Sequence, residues 1–513
     1  MKLVRYAFII PAVLSLLCLS PASSIAQAPY PGYSYTLKGK VTNSPNGYLY
    51  QDSFDGINTE YGAFNHPEHL FIAQDQTLYL VDTGNNRIVH MDPNYKLISM
   101  IGSGEGEGKL NGPKGVFVTG NGTVYVADTI NRRIVLFDKS GTYLKQFGVP
   151  QNPLLGDRFV YSPSKLIVDQ RGYMLVVSEG SDKGLLQLDP SGQFKGYFGA
   201  NRVPFSLSRV LIKLFASKAQ LAQIAATVPA NFSSVFLAND GAIYTATLGE
   251  RINQIKRLSA AGVDSLNAVA AVDSLTGKKL FGLKGSVIYG DSKLQRKGFN
   301  KVRQSFVSLT VNAKGMITIL DQILGRVYQY DKNGNLLFIF GGLGEQNGLF
   351  VTPRSVAEAA DGSIYVVDGG RNRIDRFQAT PFADKVHEAA YYFSEGMFEE
   401  ANQPWHEVLE MNRNYDLAYK AIGKALFKQE KYEEAMDYFQ IAGDRIGYSK
   451  AFVEYRKDVF RSNFSLIILG VVSLWVIMKF LKVWKVKGYR RKLAGRQSDE
   501  HHSQDGSNTK KTD

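Results

Sequence analysis

The sequence contains one cysteine, three tryptophans and seven histidines. Since Cys18 has no second cysteine to pair with, the chain holds no internal disulfide, and a small disulfide-stabilised scaffold is excluded. The sequence also lacks a nucleophile–base pair, a phosphate-binding loop, a redox motif and a metal-ligand cluster at a recognisable spacing. We therefore predict no catalytic residues and no cofactor, and we favour a protein that is not an enzyme.

Basic residues outnumber acidic ones in this sequence. It contains 60 Lys and Arg and 47 Asp and Glu, which gives a formal net charge of +13. Much of the excess follows one apolar segment, at Lys479, Lys482, Lys485, Lys487, Arg490, Arg491, Lys492 and Arg496. A basic cluster beside an apolar segment is explained by membrane topology and by contact with anionic lipid. The sequence therefore predicts a membrane contact and no nucleic-acid partner.

Two apolar segments predict the cellular location. Lys2 and Arg5 precede an apolar run and small residues, which indicates a signal peptide over residues 1–26, cleaved after Ala26. Residues 463–484 are long and apolar enough to span a bilayer, although a buried core helix is the alternative. Because the basic cluster follows this span, we predict a single-pass type I protein of the cell membrane with a basic cytoplasmic tail, residues 485–513.

Between these segments one pattern recurs six times: a strand, a polar turn and a second strand, most regular in Gly122–Asp138. The copies are Leu78–Asp92, Val124–Asp138, Met174–Asp189, Ile243–Leu258, Ile317–Asp331 and Ile364–Phe377. Most copies follow an apolar strand led by proline and precede a strand that ends in Phe-Gly or Ile-Gly. Four strands at a period of about 45–50 residues predict a mainly β fold, a six-bladed β-propeller over residues 47–380.

Four copies keep an aspartate and an arginine five residues apart: Asp82/Arg87, Asp128/Arg133, Asp321/Arg326 and Asp368/Arg373. With these pairs the chain resembles the NHL-repeat family, the related gluconolactonase-like propellers, and bacterial membrane-anchored NHL-repeat proteins with an extracytoplasmic propeller. We interpret the pairs as scaffold, because a hydrogen bond from arginine to carboxylate or turn backbone would hold each hairpin together.

The sixth copy lacks a fourth strand, since Gln378 leads directly into a helical pattern. Residues 47–67 parallel residues 334–353, where the fifth copy passes into the sixth. We therefore predict that Tyr48–Phe54 is the outer strand of the last blade and closes the ring, with residues 27–46 as a linker.

Residues 381–462 have a helical apolar period. The motifs that begin at Phe398 and Tyr432 are 34 residues apart, and Gly423 and Ala435 fall where paired helices approach closely. This pattern resembles tetratricopeptide (TPR) repeats, with Tyr448–Arg461 as a capping helix. The resemblance implies a module that binds a partner protein; a rigid stalk that holds the propeller away from the bilayer is the alternative.

Residues that begin the innermost strands are predicted to surround the central channel: Glu68, Lys114, Ser164, Ser233, Val307 and Arg354, with His69 and Lys165 one position later. One carboxylate among several cations is a poor site for a hard metal ion, which needs several oxygen ligands. We therefore predict no metal site, and an anionic small molecule or a glycan carboxylate as the ligand. The candidate ligand-binding residues are Glu68, His69, Lys114, Lys165 and Arg354.

Blade four departs most from the repeat, because Thr247 replaces the aspartate and insertions flank the blade. Asn201–Pro229 has the pattern of an amphipathic helix, and Leu283–Arg303 is a basic loop. The candidate partner-binding residues on them are Leu211, Phe215, Lys293, Arg296 and Lys297. A variable loop without a specific role is the alternative.

These observations predict a single-pass surface protein whose extracytoplasmic propeller and TPR-like stalk serve as a binding, scaffold or sensor module. The partner would be a protein, a glycan or another component of the cell envelope. The alternative is a lactonase or hydrolase that acts at the mouth of the channel, as the gluconolactonase-like resemblance implies.

Overall fold

The computed structural model describes residues 28–504, apart from 38, 157–158, 200–230, 251, 268–286, 288 and 292–303, with side chains to residue 492. The predicted signal peptide lies outside the described residues. So do the segment 201–229 and most of the basic loop, with the five candidate partner-binding residues on them.

The first strands of the described residues are β1 (Tyr33–Tyr35), β2 (Val41–Asn43) and β3 (Tyr48–Phe54). The strands β1 and β2 form a hairpin within the segment predicted as a linker. Blade one contains β4 (Pro67–Ile72), β5 (Leu78–Asp82), β6 (Arg87–Met91) and β7 (Leu97–Ile101). Blade two contains β8 (Pro113–Val118), β9 (Val124–Asp128), β10 (Arg133–Phe137) and β11 (Tyr143–Phe147). Blade three contains β12 (Pro163–Val168), β13 (Met174–Ser178), β14 (Leu185–Leu188) and β15 (Phe194–Phe198).

The remaining blades repeat this order. Blade four contains β16 (Phe232–Leu237), β17 (Ile243–Thr247) and β18 (Ile255–Leu258), and its predicted fourth strand lies outside the described residues. Blade five contains β19 (Phe306–Val311), β20 (Ile317–Asp321), β21 (Arg326–Tyr330) and β22 (Leu336–Gly341). Blade six contains β23 (Pro353–Glu358), β24 (Ile364–Asp368) and β25 (Arg373–Ala379). All pairings within the blades are antiparallel, as hairpins joined by short polar turns require.

The six sheets form a closed ring. Their first strands contact one another in the cycle β4, β8, β12, β16, β19, β23 and back to β4, so these strands line the central axis. The second strands are almost wholly buried, because each sheet is covered on both faces by neighbouring blades. Apolar side chains between adjacent blades, such as Val81, Val116 and Val126, form the core.

The prediction that the N-terminal strand closes the propeller is confirmed. The strand β3 pairs antiparallel with β25, and the last sheet has the order β23-β24-β25-β3. Tyr48 is fully buried, its ring is stacked on Phe340 at 4.9 Å, and its backbone pairs with Ala379. The outer edge of blade six is therefore covered by the beginning of the same chain.

After the propeller the structure describes six helices, as far as residue 504: α1 (Pro381–Ser394), α2 (Phe398–Met411), α3 (Asp416–Lys428), α4 (Tyr432–Ala442), α5 (Arg445–Ser462) and α6 (Phe464–Gln504). Thr380 caps α1 by accepting a hydrogen bond from the Ala383 amide. The helices α1 and α2 pack together, as do α3 and α4, and α5 packs on α4. Added Cβ atoms at Gly423 and Gly447 would lie 3.0 and 2.6 Å from the Phe439 ring, so both positions need the close approach that glycine allows.

The first helices share one apolar core with the propeller. Phe338 and Phe340 of β22 lie in the same cluster as Phe382, Val386 and Tyr415 of the helical segment. The Tyr415 hydroxyl donates to the Leu337 carbonyl oxygen at 3.1 Å. The helical segment is therefore fixed to blade five.

The helix α6 contains one candidate membrane span among the described residues. Phe464–Lys492 comprises 29 residues and contains an 18-residue window with a mean hydropathy of 2.3, and none of that window is buried within the protein. By length and composition it could cross a bilayer. A single residue, Asn463, separates α6 from α5.

Candidate functional site

Every innermost strand carries a β-bulge at its beginning. The register shifts between the first and third residues of β4, β8, β12, β16, β19 and β23. The second residues are those predicted for the channel ring: Glu68, Lys114, Ser164, Ser233, Val307 and Arg354. A bulge adds one unpaired residue to a strand and redirects the side chain of that residue. The same backbone irregularity therefore occurs at all six ring residues.

The strand register locates these residues at one end of the propeller. In blade one Pro67 pairs with Asp82, which in turn pairs with Arg87 across the hairpin. We call the end with the Asp–Arg turns the turn end. The opposite end, here the helix end, carries Ala379, where β25 leaves blade six for α1.

The repeat aspartates hold the turn end together. Asp82 accepts hydrogen bonds from the Asn65 amide at 2.7 Å, from Asn85 Nδ2 at 2.8 Å and from Arg87 Nε at 2.8 Å. Asp128 makes the same three bonds to Asn111, Asn131 and Arg133. Both carboxylates are fully buried, so their charge is balanced inside the scaffold. The scaffold interpretation is confirmed in blades one and two.

In blades five and six the predicted pairs do not form. Arg326 binds Asp291, while Asp321 accepts bonds from the amides of Ser305 and Ile323. Arg373 lies 2.7 Å from Asp375. The Asp368 carboxylate instead lies 3.3 Å from Arg371 Nε and accepts hydrogen bonds from the amides of Val351 and Thr352. The aspartate keeps its role of binding the preceding loop, but the arginine pairs with a different acid, Asp291 in blade five and Asp375 in blade six.

The charged ring residues form an arc over blades six, one, two and three. Lys114 Nζ lies 2.7 Å from Glu179, and Arg354 Nε lies 3.5 Å from Glu68. Lys165 Nζ donates to the Glu68 carbonyl oxygen at 3.3 Å, which joins blade three to blade one. Blades four and five complete the ring with the uncharged Ser233 and Val307; Ser233 Oγ donates to the Phe306 carbonyl oxygen.

Lys165 is the most buried charged group of the arc, with 9% of its surface exposed. Burial lowers the pKa of its ammonium to about 7; the carboxylates of Glu68 and Glu179 raise this pKa, while Lys114 and Arg354 lower it. The amine therefore changes its protonation near neutral pH. Glu68 and Glu179, the two carboxylates of the arc, are already paired with cations, so the arc offers more to an anion than to a metal ion.

His69 belongs to the contact between two blades. Its Nδ1 accepts a hydrogen bond from the Val116 amide at 3.2 Å, so the ring proton resides on Nε2. Burial, followed by the charge of Lys165, lowers the pKa of His69 well below its usual value, and the ring stays neutral. Ser308 and Ser355 occupy the same strand position and accept amide bonds from Val356 and Leu70. His69 therefore links β4 of blade one to β8 of blade two.

Glu179 is an arc residue that the sequence reasoning missed. It follows Ser178, which replaces the repeat aspartate in blade three. Thr83 and Thr129 hold the same position in blades one and two, where they donate to the carbonyl oxygens of Pro113 and Pro163. Alignment of the position after the aspartate would have revealed a single acid among neutral residues.

Comparison with known proteins gives similarity at the level of the fold. No protein-family model matches the sequence, and no curated protein matches it. Virginiamycin B lyase from Staphylococcus aureus is 12% identical over 64% of this chain and 87% of that one, with a TM-score of 0.39. A putative gluconolactonase is 13% identical over 66% and 93%, with a TM-score of 0.37. The WD40 β-propeller domain of Doa1 is 12% identical over 65% and 98%, with a TM-score of 0.38. These similarities assign no activity to this chain, whose propeller fold is compatible with a binding or scaffold role.

Proposed function

We propose that the protein is a single-pass surface protein of the cell membrane whose extracytoplasmic propeller binds a protein, a glycan or another envelope component at the turn end. The proposed span is residues 463–484, which overlaps the apolar stretch Phe464–Lys492, and the basic residues from Lys485 onward support an outside location for the preceding chain. The NHL-like repeats and the TPR-like helix pairs support a binding module by resemblance.

The observation that carries the proposal is the core that the propeller shares with the helices. Contacts from the helical segment reach the helix end of blade five: Tyr415 binds Leu337, and Glu395 pairs with Lys332 at 2.7 Å. Because these contacts are at the helix end, the helices leave the turn end uncovered within the part of the chain that the structure describes. A propeller held this way is suited to present the turn end to a partner, with the helices as a rigid support.

A hydrolase at the channel mouth receives less support. Such an enzyme needs a carboxylate free to act as a base or to hold a cation. Glu68 and Glu179 are both paired with cations of the same arc.

Anchoring is tested by alkaline extraction of membranes that contain the full chain. The protein should stay in the membrane pellet, and protease added to intact cells should digest the propeller. Val471→Arg together with Leu474→Arg should release it, since a charge at the centre of a span costs several kcal/mol. Phe452→Arg in α5 is the matched control and should not release it. Release of the unchanged protein, or full protection from protease, would refute the proposed topology.

Binding is tested with a photo-crosslinking amino acid in place of single exposed residues. Ile130 and Leu154, which are 64% and 69% exposed, lie in loops at the turn end. Asn94 is an exposed control in the β6–β7 turn at the helix end. We expect a discrete adduct in native membranes from the first two positions and none from Asn94. Equal labelling from both ends, or no adduct from the turn end, would contradict the proposal.

A further inference from the structure

We propose that the arc at the channel mouth is a binding site for a monoanionic carboxylate, such as the uronic acid of a glycan, with the Lys165 ammonium as its central contact. This inference rests on the proposed function, because it names the ligand class for the same end of the propeller. It stands on the charge and the hydrogen bonds of five arc residues: Glu68, Lys114, Lys165, Glu179 and Arg354.

The pairing within the arc leaves one cation without a carboxylate. Lys114 pairs with Glu179, and Arg354 pairs with Glu68. Lys165 has no carboxylate within ion-pair distance among the described residues, and the hydrogen bond found for it there is the one to the Glu68 carbonyl oxygen. An ammonium carries three N–H donors, so two remain for a ligand. The excess positive charge of the arc is therefore located on its most buried member.

This arrangement favours a single negative charge. A buried ammonium without a counter-ion is costly, and an anion that pairs with it removes that cost. A carboxylate supplies one charge and two acceptor oxygens, which match the remaining donors. A phosphate dianion would carry a second charge into a site that already contains Glu68 and Glu179. We therefore expect a sugar acid to bind more tightly than inorganic phosphate.

Binding should be coupled to proton uptake. The charged and titratable groups around Lys165 are Glu68, Glu179, Lys114, Arg354 and the neutral His69. In the free protein the pKa of Lys165 is about 7, so at pH 8 most of the amine is neutral. A bound carboxylate favours the charged form and raises this pKa. The affinity should therefore fall up to about tenfold per pH unit above 7, with almost no change below pH 6.

The test is isothermal titration calorimetry on the full chain in detergent, with D-glucuronate as the probe. Glucose serves as the neutral comparison, and inorganic phosphate, compared with glucuronate at pH 8 only, serves as the dianionic one. Titrations at pH 8 in two buffers with different heats of ionisation should show about half a proton or more taken up per glucuronate, and titrations at pH 6 should show almost none. Lys165→Met should weaken glucuronate binding at least about tenfold, equivalent to 1.4 kcal/mol, and abolish proton uptake. Lys139→Met, which removes an exposed lysine bound to Asp75 at the helix end, is the matched control and should change neither.

The inference is overturned if glucuronate does not bind, if phosphate binds more tightly, or if no proton is taken up at pH 8. It is also overturned if Lys165→Met binds as the unchanged protein does. The methionine variant should melt at a higher temperature than the unchanged protein, with a larger difference at pH 6.5 than at pH 9, since it removes a desolvated charge. If it fails to fold, Lys165→Gln replaces it, and proton uptake by the unchanged protein tests the inference without any variant. Adducts from Ile130 and Leu154 without glucuronate binding would leave the proposed function intact and refute only the carboxylate site.

Discussion

Arg326 binds Asp291, 35 residues before it in sequence, and leaves Asp321, its expected partner within the repeat, to backbone amides. Asp291 is 1% exposed and also accepts hydrogen bonds from the hydroxyls of Tyr33, Tyr35 and Tyr328. One carboxylate thus connects the N-terminal hairpin, the loop after blade four and blade five.

The first prediction concerns this carboxylate. Asp291→Asn should lower the free energy of unfolding by about 3 kcal/mol, the low end for breaking a buried ion pair, because Arg326 is partly exposed. Asp240→Asn breaks the more exposed pair with Arg257 and should cost less than about 1 kcal/mol. Urea denaturation followed by circular dichroism measures both values. Equal losses in the two variants would contradict the connecting role of Asp291.

A second prediction concerns ring closure. Removal of residues 27–46 deletes the hairpin, whereas removal of residues 27–55 also deletes β3 and exposes the edge of β25. The longer deletion should melt at least about 10 °C below the shorter one, since it removes a whole strand from the last sheet. Thermal unfolding of the two proteins provides the comparison. Identical melting temperatures would mean that β3 does not stabilise the ring.

A third prediction concerns pH. Burial raises the pKa of Glu358 to about 7, although Asn312 and Thr318 donate hydrogen bonds to its carboxylate. Between about pH 4.5 and 7 the folded chain therefore holds a proton that the unfolded chain releases, and stability falls as pH rises through this range. Glu358→Gln should melt above the unchanged protein at pH 7.5, with a difference that shrinks towards pH 4.5. A difference that stays constant with pH would exclude the titration of Glu358 as its cause.

Much of the propeller follows from local sequence patterns. The proline-led strand and the Asp–Arg turn recur along the chain at a regular spacing. This repeated pattern predicts the number of blades and the residues at the six bulges. The closing strand was predictable because residues 47–67 repeat the pattern found between blades five and six.

The departures depend on contacts that no repeat encodes. Arg326 and Arg373 change partners because Asp291 and Asp375 reach them in three dimensions. The docking of α1 on blade five depends on contacts between single residues, such as the hydrogen bond between His387 and Gln329 at 2.5 Å. The depressed pKa of Lys165 likewise depends on burial and on the charges of Lys114 and Arg354, which belong to other blades.

The pairing of β3 with β25 also affects folding during synthesis, because the two strands are made at different times. The ribosome makes Tyr48 well over three hundred residues before Ala379, its partner in the last sheet. At about 5–20 residues per second, β3 waits on the order of tens of seconds without its neighbour. The ring therefore cannot close until the last blade has been made, and until then the unpaired strand β3 must be kept from pairing with other chains.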